Sequence, residues 1–303
     1  MSTVGQRERA TQDRVVALLR DTLHYEYLGD WQYREGNTNI EADLLTGWLR
    51  RQGYSERLIT AALRELGRAA AVGASRSLYE ANRAVHSLLR YGVKVKEGAG
   101  QKTETVWLVD WGTPTNNDFA VAEEVAVAGV HGKRPDVVVY VNGLALAVLE
   151  LKRSTVSVSE GIRQNLDNQK PEFIQPFFST VQYVLAGNDA EGLRYGAIET
   201  PERYYLEWRE ENPEYRPGNP PEGRYLPPAP CNGPNGNVRH ALDCALLRLF
   251  DRDRFLELVH DFVVFDAGTK KLPRHNQYFG VRAAQRNVSE REGGIVWHTQ
   301  GSG

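Results

Sequence analysis

The stretch Arg134-Pro-Asp-Val-Val-Val-Tyr-Val-Asn-Gly-Leu-Ala-Leu-Ala-Val-Leu-Glu-Leu-Lys152 decides the fold. Two apolar runs flank Asn142-Gly143, a dipeptide that accepts the positive φ angles of a tight hairpin turn. Both runs are apolar at nearly every position, so they read as central strands covered on both faces. Their charges stand out for that reason, because an unpaired charge in such a strand is costly. Asp136 opens the first strand, and Glu150 and Lys152 close the second. Glu150 and Lys152 are two apart on a strand and therefore share a face.

Further strands are predicted at Thr105–Trp111 and Phe119–Val127, before the hairpin, and at Val181–Ala186 and Leu193–Ile198, after it. Between the two sets a helix begins near Ser157, where Ser157-Val-Ser-Glu160 has capping-box form and Ile162 and Leu166 supply an apolar stripe. Residues 10–91 read as helical, with a last helix from Ser77 to Arg90. The result is an α/β protein: an N-terminal helical region, then a mixed sheet flanked by helices. A first domain spans 1–210, with its core at about 104–199. Residues 211–237 are rich in Pro, Gly and Asn and read as a linker. Residues 239–264 return to a helical period, and Gly294–His298 reads as a closing strand.

Composition narrows the function classes. The chain has 303 residues, 41% hydrophobic and 25% charged, an ordinary globular balance. No apolar run approaches the ~20 residues of a membrane span. The N-terminus is polar and lacks the apolar core of a signal peptide. Two cysteines, Cys231 and Cys244, cannot staple a fold of this size, and an intracellular protein with free thiols is expected. The net charge of −2 means that any nucleic-acid contact must come from local patches. Of 37 basic residues only eight are Lys, so each Lys is a minority choice.

Asp136, Glu150 and Lys152 suit metal-assisted phosphodiester hydrolysis. Two carboxylates form a hard oxygen site that leaves positions for water and a phosphate oxygen, as Mg²⁺ prefers. A Lys beside them can orient or deprotonate the attacking water, which Arg does poorly. Glu-x-Lys also arises about once by chance in a chain this long, and a structural Glu–Lys pair at a strand end is the competing reading. Glu80 and Glu123 are candidates for a further carboxylate, against solvated or structural roles for both. The seven His show no pairing at metal-ligand spacing.

The Asp136–Lys152 stretch resembles the PD-(D/E)xK nuclease core of the restriction (R) subunit of type I restriction–modification enzymes. Leu89-Arg-Tyr-Gly-Val93, Val109-Asp-Trp111 and Asn116-Asn-Asp-Phe119 resemble the segments leading into that core. Gln164 falls where the family places the Gln of a Gln-x-x-x-Tyr motif. Asn168 stands at the Tyr position, a departure. Either the second half of that motif is dispensable, or Gln169 substitutes.

His275-Asn-Gln-Tyr278 and Gly294-Ile-Val-Trp-His-Thr-Gln-Gly-Ser-Gly303 resemble the start of a RecA-like helicase domain. Residues 238–303 would then be the edge of a motor domain, ending inside motif I. Gly301, Ser302 and Gly303 would form a partial phosphate loop without its Lys and Ser/Thr, and useful ATP binding is not expected. A Gly-rich expression scar is the alternative for this end.

The resemblance implies an Mg²⁺-dependent endonuclease, with Mn²⁺ as a substitute, cutting duplex DNA after ATP-driven translocation by the parent protein. Asp136, Glu150 and the Leu151 carbonyl would hold the metal. Lys152 would position water, and Gln164 would orient Lys152 or a phosphate. It further implies methyltransferase (M) and specificity (S) subunits as partners, S-adenosylmethionine through them, and a prokaryotic cytoplasmic location. The rivals are a non-catalytic docking module between motor and methyltransferase, and an autonomous nuclease of the same superfamily.

Strand parity sets a test. A plain two-residue turn pairs Val141 with Leu144 and Asp136 with Leu149, so Asp136 points away from Glu150. A shared metal requires the other parity. A three-residue loop, Val141-Asn142-Gly143, with Tyr140 opposite Leu144 supplies it, and so does a bulge inside either strand. The two carboxylates should then lie within about 5 Å of each other.

Overall fold

Asn142 and Gly143 adopt φ angles of 53° and 80°, both in the left-handed region that the tight turn demands. The turn is buried. Asn142 Nδ2 donates to the Leu108 carbonyl at 3.0 Å and to Asn117 Oδ1 at 2.8 Å, while its Oδ1 accepts from Asp118 N at 2.8 Å. A Cβ on Gly143 would lie 2.8 Å from the Glu41 carbonyl oxygen, so glycine is needed for space as well as for φ. The segments around Val109 and Asn116 thus wrap the hairpin turn.

The computed structural model describes residues 3–98, 100–208 and 240–295. Helix α1 (Thr3–Ala17) is followed by strand β1 (Glu26–Asp30) and helices α2 (Ala42–Arg51), α3 (Glu56–Ala70) and α4 (Leu78–Tyr91). A short ribbon, β2 (Val93–Val95) with β3 (Glu104–Val106), leads to β4 (Phe119–Glu123), β5 (Val137–Val141) and β6 (Leu144–Leu151). Helix α5 (Val158–Asn168) then crosses to β7 (Tyr183–Asn188) and β8 (Gly192–Gly196). Beyond it come α6 (Ala241–Leu249), α7 (Arg252–Asp261), the hairpin β9 (Val264–Asp266) and β10 (Thr269–Lys271), and α8 (His275–Glu290). No helix among the described residues is long and apolar enough to cross a membrane.

Six strands form one mixed sheet in the order β1-β4-β5-β6-β7-β8. The β1–β4 and β6–β7 pairs are parallel and the others antiparallel. Every residue of β4, β5 and β6 is buried, as their apolar runs require. One face carries Val121, Val137, Val139, Leu149 and Leu185, packed under the N-terminal helices. Leu242, Leu246, Phe250 and Phe255 of the C-terminal segment join this same core, and the Tyr25 hydroxyl donates to the Phe250 carbonyl at 2.7 Å. The other face carries Ala122, Val138, Tyr140, Ala145, Val148 and Val184, with Ile174, Phe177 and Phe178 over it.

Several elements depart from the sequence reading. Glu26–Asp30 is an edge strand within the stretch read as helical. It is short, mostly exposed and interrupted by Gly29 (φ 114°), so it carries no period. The strand expected over Thr105–Trp111 is only Glu104–Val106, and it pairs in the ribbon outside the main sheet. The Phe119 strand stops at Glu123, because Glu124 takes φ 51° and turns the chain away. Ser157 caps α5 through Ser159 N, without a capping box. Glu191 Oε1 accepts from Val158 N at 3.0 Å, so a distant side chain completes the cap. The helical stretch 239–264 is two helices, broken where Asp251 caps the second, and its end is β9. The linker 211–237, Cys231, most of the closing strand 294–298, and Gly301, Ser302 and Gly303 lie outside the described residues; Gly294 and Ile295 are not in a strand.

Candidate active site

The β5–β6 pairing contains a bulge. Val141 faces Leu144 and Tyr140 faces Ala145, but Val139 faces Ala147, which leaves Leu146 unpaired. Leu146 and Ala147 both pack on the first face of the sheet, whereas Ala145 and Val148 pack on the second. The turn is therefore the plain two-residue form, and the three-residue loop is absent. Parity is restored inside β6 instead. Past the bulge Val137 faces Leu149, which aligns Asp136 with Glu150 on the second face. The two carboxyl groups are near enough to shift each other's proton affinity.

The Leu151 N–H donates to Asp136 Oδ2 at 2.7 Å, which fixes the Asp136 rotamer from the strand backbone. Glu150 is fully buried. Gln164 Nε2 donates to Glu150 Oε2 at 2.6 Å, and Gln164 Oε1 accepts from Lys152 Nζ at 2.8 Å. One carboxamide thus links the carboxylate to the ammonium. Asn168 Nδ2 donates to Glu150 Oε1 at 3.3 Å. Both oxygens of Glu150 are therefore held by two amides one turn apart on α5.

Helix α5 comes this close because residue 161 is glycine. A Cβ there would meet Ala186 Cβ at 3.1 Å, Lys152 Cγ at 3.5 Å and Glu150 Cβ at 3.6 Å. Gly161, Gln164 and Asn168 follow the i, i+3, i+7 spacing of one helix face. Ser157 at the N-cap and the buried Val158 and Ile162 seat that face on Ala186 of β7.

Electrostatics mark the pair. Burial pushes the Glu150 carboxyl well above the ordinary range, and Asp136 beside it adds to the shift. Burial also raises Asp136, with Lys152 and the Leu151 N–H pulling the other way. The neighbourhood holds more potential negative charge than the Lys152 ammonium balances, which is the condition a bound divalent cation relieves. The donor set of two carboxylates and nearby main chain is hard oxygen, so it fits Mg²⁺ or Mn²⁺. Among the described residues no group of three or more His, Cys, Asp and Glu converges to hold a metal. A cation here would rely on Asp136, Glu150, a carbonyl such as that of Leu151, and water.

The accessory candidates go elsewhere. Glu123 lies opposite Val137, on the other face of the sheet. It accepts from Arg9 at 3.0 Å and from Gln12 at 2.8 Å, and so anchors α1. Glu80 is committed to a capping box with Ser77 at the start of α4. The carboxylate that does act on the pair is Glu124, whose charge raises both Asp136 and Glu150. It is ion-paired with Arg134 at 2.6 Å. The sequence reading singles out Glu123 and passes over Glu124, which follows the last strand residue and so has the opposite parity. Gln169 does not replace the missing Tyr. It donates to the Asn165 carbonyl at 2.9 Å and accepts from Glu199 N at 2.6 Å. Asn168 itself reaches Glu150. Far from this cluster in sequence, His275, Asn276 and Gln277 line a separate cleft of about 1220 Å³ with Arg203, Tyr204 and Lys271.

Residues 5–203 match the family described as the type I restriction enzyme R protein N terminus. The chain is 26% identical over 239 residues to a putative type I restriction enzyme MjaIXP endonuclease subunit of Methanocaldococcus jannaschii, covering 72% of this chain and 22% of that protein. It is 27% identical over 244 residues to the type I restriction enzyme HindI endonuclease subunit of Haemophilus influenzae, covering 73% and 21%. The chain thus spans about a fifth of the length of these curated relatives. The matched region runs from α1 through β8 and contains the whole Asp136–Glu150–Lys152–Gln164 cluster, and the chain belongs to the family of type I restriction enzyme R protein N termini.

Proposed function

We propose that this chain carries the DNA-cleaving site of a type I restriction enzyme R subunit, a PD-(D/E)xK nuclease that hydrolyses phosphodiester bonds of duplex DNA with Mg²⁺, or Mn²⁺ in its place. The observation that carries this reading is the bulge at Leu146. It brings two charged ends of apolar strands to one point, where Gln164 ties Glu150 to Lys152. A merely structural Glu–Lys pair would need neither Asp136 nor the amide between the partners.

Asp136 and Glu150, with the Leu151 carbonyl, would hold the cation. When bound, it polarises a phosphate oxygen and lowers the pKa of water. Lys152 holds the attacking water by hydrogen bonding and offsets charge developing on the phosphate. Gln164 fixes the Lys152 ammonium relative to Glu150, which limits the geometries that water can take. Asn168 restrains the second oxygen of Glu150 in place of the family's Tyr.

In the full-length subunit this site would act after ATP-driven translocation, in the prokaryotic cytoplasm. The methyltransferase and specificity subunits, with S-adenosylmethionine, would supply sequence recognition. Lys152→Ala in the full-length subunit should abolish DNA cleavage and leave ATP hydrolysis nearly unchanged. Cleavage retained within a few-fold would remove Lys152 from the chemistry.

A further inference from the structure

The β2–β3 ribbon separates its side chains by parity. Val93 and Val95 on one strand and Val106 on the other are buried on the core side. Lys94 and Lys96 alternate with the valines and point outward, and Thr105, paired with Lys94, shares that face. The outward parity holds no carboxylate. Glu104, at the open end of the ribbon, is exposed but pairs with Val95 on the other parity, and Glu97 is hydrogen-bonded to Ser55 Oγ. Lys102 is exposed in the connecting turn. At the base of the ribbon Trp107 is 43% exposed and Tyr91 58%, unusual for such large aromatic side chains. Tyr54 holds this base, its hydroxyl accepting from Trp107 N at 3.0 Å.

The charge is unspent. Lys94, Lys96 and Lys102 make no ion pair or hydrogen bond with any described residue. Several cations elsewhere are committed: Arg9, Arg34, Arg134 and Arg163 each sit on a carboxylate, as do Lys170 and Lys271. Only eight of 37 basic residues are Lys, yet three fall between positions 94 and 102. Lysine is a hydrated point charge that suits phosphate contacts without sequence preference. A twisted two-stranded ribbon is also an element that follows a duplex groove.

We propose that the β2–β3 ribbon is a backbone-binding surface for duplex DNA, in which Lys94, Lys96 and Lys102 contact phosphates and the exposed Trp107 and Tyr91 flank them. This rests on the reading of the chain as a DNA-cleaving domain, and it adds a holding surface outside the Asp136–Glu150 cluster. Its occupant is a polyanion of regular phosphate spacing, matched by a carboxylate-free row of cations.

The test is the salt dependence of duplex binding by the whole 303-residue chain, followed by fluorescence anisotropy on a labelled duplex. Each neutralised phosphate contributes roughly 0.9 to the slope of log K against log salt. The triple variant Lys94→Gln, Lys96→Gln, Lys102→Gln should lower that slope by roughly two to three and weaken binding about tenfold or more near 50 mM salt. The control Lys170→Gln with Lys271→Gln should change the slope by less than about one, because both lysines already have carboxylate partners. Equal slopes for the triple variant and the wild type would overturn the proposal. So would wild-type binding too weak to detect at low salt. A triple variant that binds duplex normally but no longer joins its partner subunits would overturn it too, assigning the ribbon to an acidic protein face. Lys152→Ala separates the two readings: in the full-length subunit it should lose cleavage, while duplex binding by the chain loses at most the one phosphate contact of about 0.9 in slope that Lys152 itself can make, well short of the triple variant's change. Cleavage that survives in Lys152→Ala removes the nuclease assignment and leaves the ribbon to stand on its slope.

Discussion

Asp136 and Glu150 share one face of the sheet because an odd number of residues separates them and Leu146 is left out of the pairing. A two-residue turn leaves an odd number to be matched between the strands, which regular pairing cannot do. Deleting Leu146 should therefore keep Asp136 opposite Glu150, since every other pair retains its partner. The variant loses a buried leucine, costing about 2–5 kcal/mol as for large core truncations, but should still bind Mn²⁺ by calorimetry. A folded deletion variant that binds no Mn²⁺ would show that the bulge shapes the site beyond its parity.

Glu150 predicts a conflict between stability and function. Its folded proton affinity is raised far above that of an ordinary carboxyl near 4.5. The cation-free folded chain thus holds this proton more tightly than the unfolded chain. Stability from the group is full below the ordinary range and is lost as pH rises through and above it. Glu150→Gln removes the penalty and keeps the shape. In chelator, it should melt higher than wild type at pH 8, with a smaller gain at pH 5. Mn²⁺ should raise the wild-type melting temperature and leave the variant's unmoved. A variant melting at or below wild type at pH 8 would show that Glu150 is not strained by burial.

Gln164 is the joint between Lys152 and Glu150. A hydrogen bond to a charged group is worth about 1.5–3 kcal/mol, which corresponds to roughly tenfold to a hundredfold in rate. Gln164→Ala should lower cleavage by the assembled full-length enzyme by about that factor, against complete loss for Lys152→Ala. In any residual single-turnover cleavage left by Lys152→Ala, adding Gln164→Ala should cost less than it does in the wild type, because part of the Gln164 effect is exerted through Lys152. Multiplying losses in a double-mutant cycle would assign Gln164 an independent role.

The hairpin and its charges were legible because alternation, apolar runs and Asn-Gly are local signals. Gln164 was legible only through family resemblance. Other parts depend on tertiary placement that no window of sequence carries. Strand β1, Glu-Tyr-Leu-Gly-Asp, has no apolar period and is held by pairing with β4. Glu123 and Glu124 are adjacent and alike, and only the register of β4 against β5 shows that Glu123 faces away from the pair while the charge of Glu124 acts on it. Gly161 reads as an ordinary helix residue, and Asn168 only as a departure from the family's Tyr, until the sheet beneath them is in place. One signal was available for Gly161: a glycine at the second turn of a helix costs about 1 kcal/mol against alanine, so it asks for a packing reason.

His86 gives the fold an acid limit. It is buried against Val259, its Nε2 lying 2.9 Å from the carbonyl oxygen. Burial, reinforced by the neighbouring Lys270 charge, lowers its pKa from 6.5 to about 4. Between those values the unfolded chain takes up the proton and the folded chain does not, so stability falls as pH drops through this window. The loss is bounded by roughly 3 kcal/mol, taken as order of magnitude from the width of the window. His86→Gln can keep a donor toward Val259 without titrating. Its chemical-denaturation stability should decline less between pH 6.5 and 4.5 than that of wild type. Parallel declines would place the acid sensitivity elsewhere.

Gly161→Ala sets helix propensity against the approach of α5 to the sheet. Alanine favours the helix by about 1 kcal/mol. Its Cβ, however, would sit 3.1 Å from Ala186 Cβ, closer than carbon atoms normally pack, so the helix must give by a few tenths of an ångström. The two effects oppose each other in stability, and the melting temperature should move little. In activity they do not cancel. Gln164 and Asn168 travel with α5, and the 2.6 Å bond from Gln164 to Glu150 lengthens with it. Cleavage should therefore fall more than stability, by about tenfold if most of one charged hydrogen bond is lost. Adding Ala186→Gly removes the carbon that the new Cβ meets. The double variant should regain cleavage, even though glycine in β7 lowers its melting temperature. Recovery of activity alongside a loss of stability is the outcome that only a positioning role for the α5–β7 contact produces. A double variant no more active than Gly161→Ala would show that the close approach of α5 does not set the Gln164 geometry.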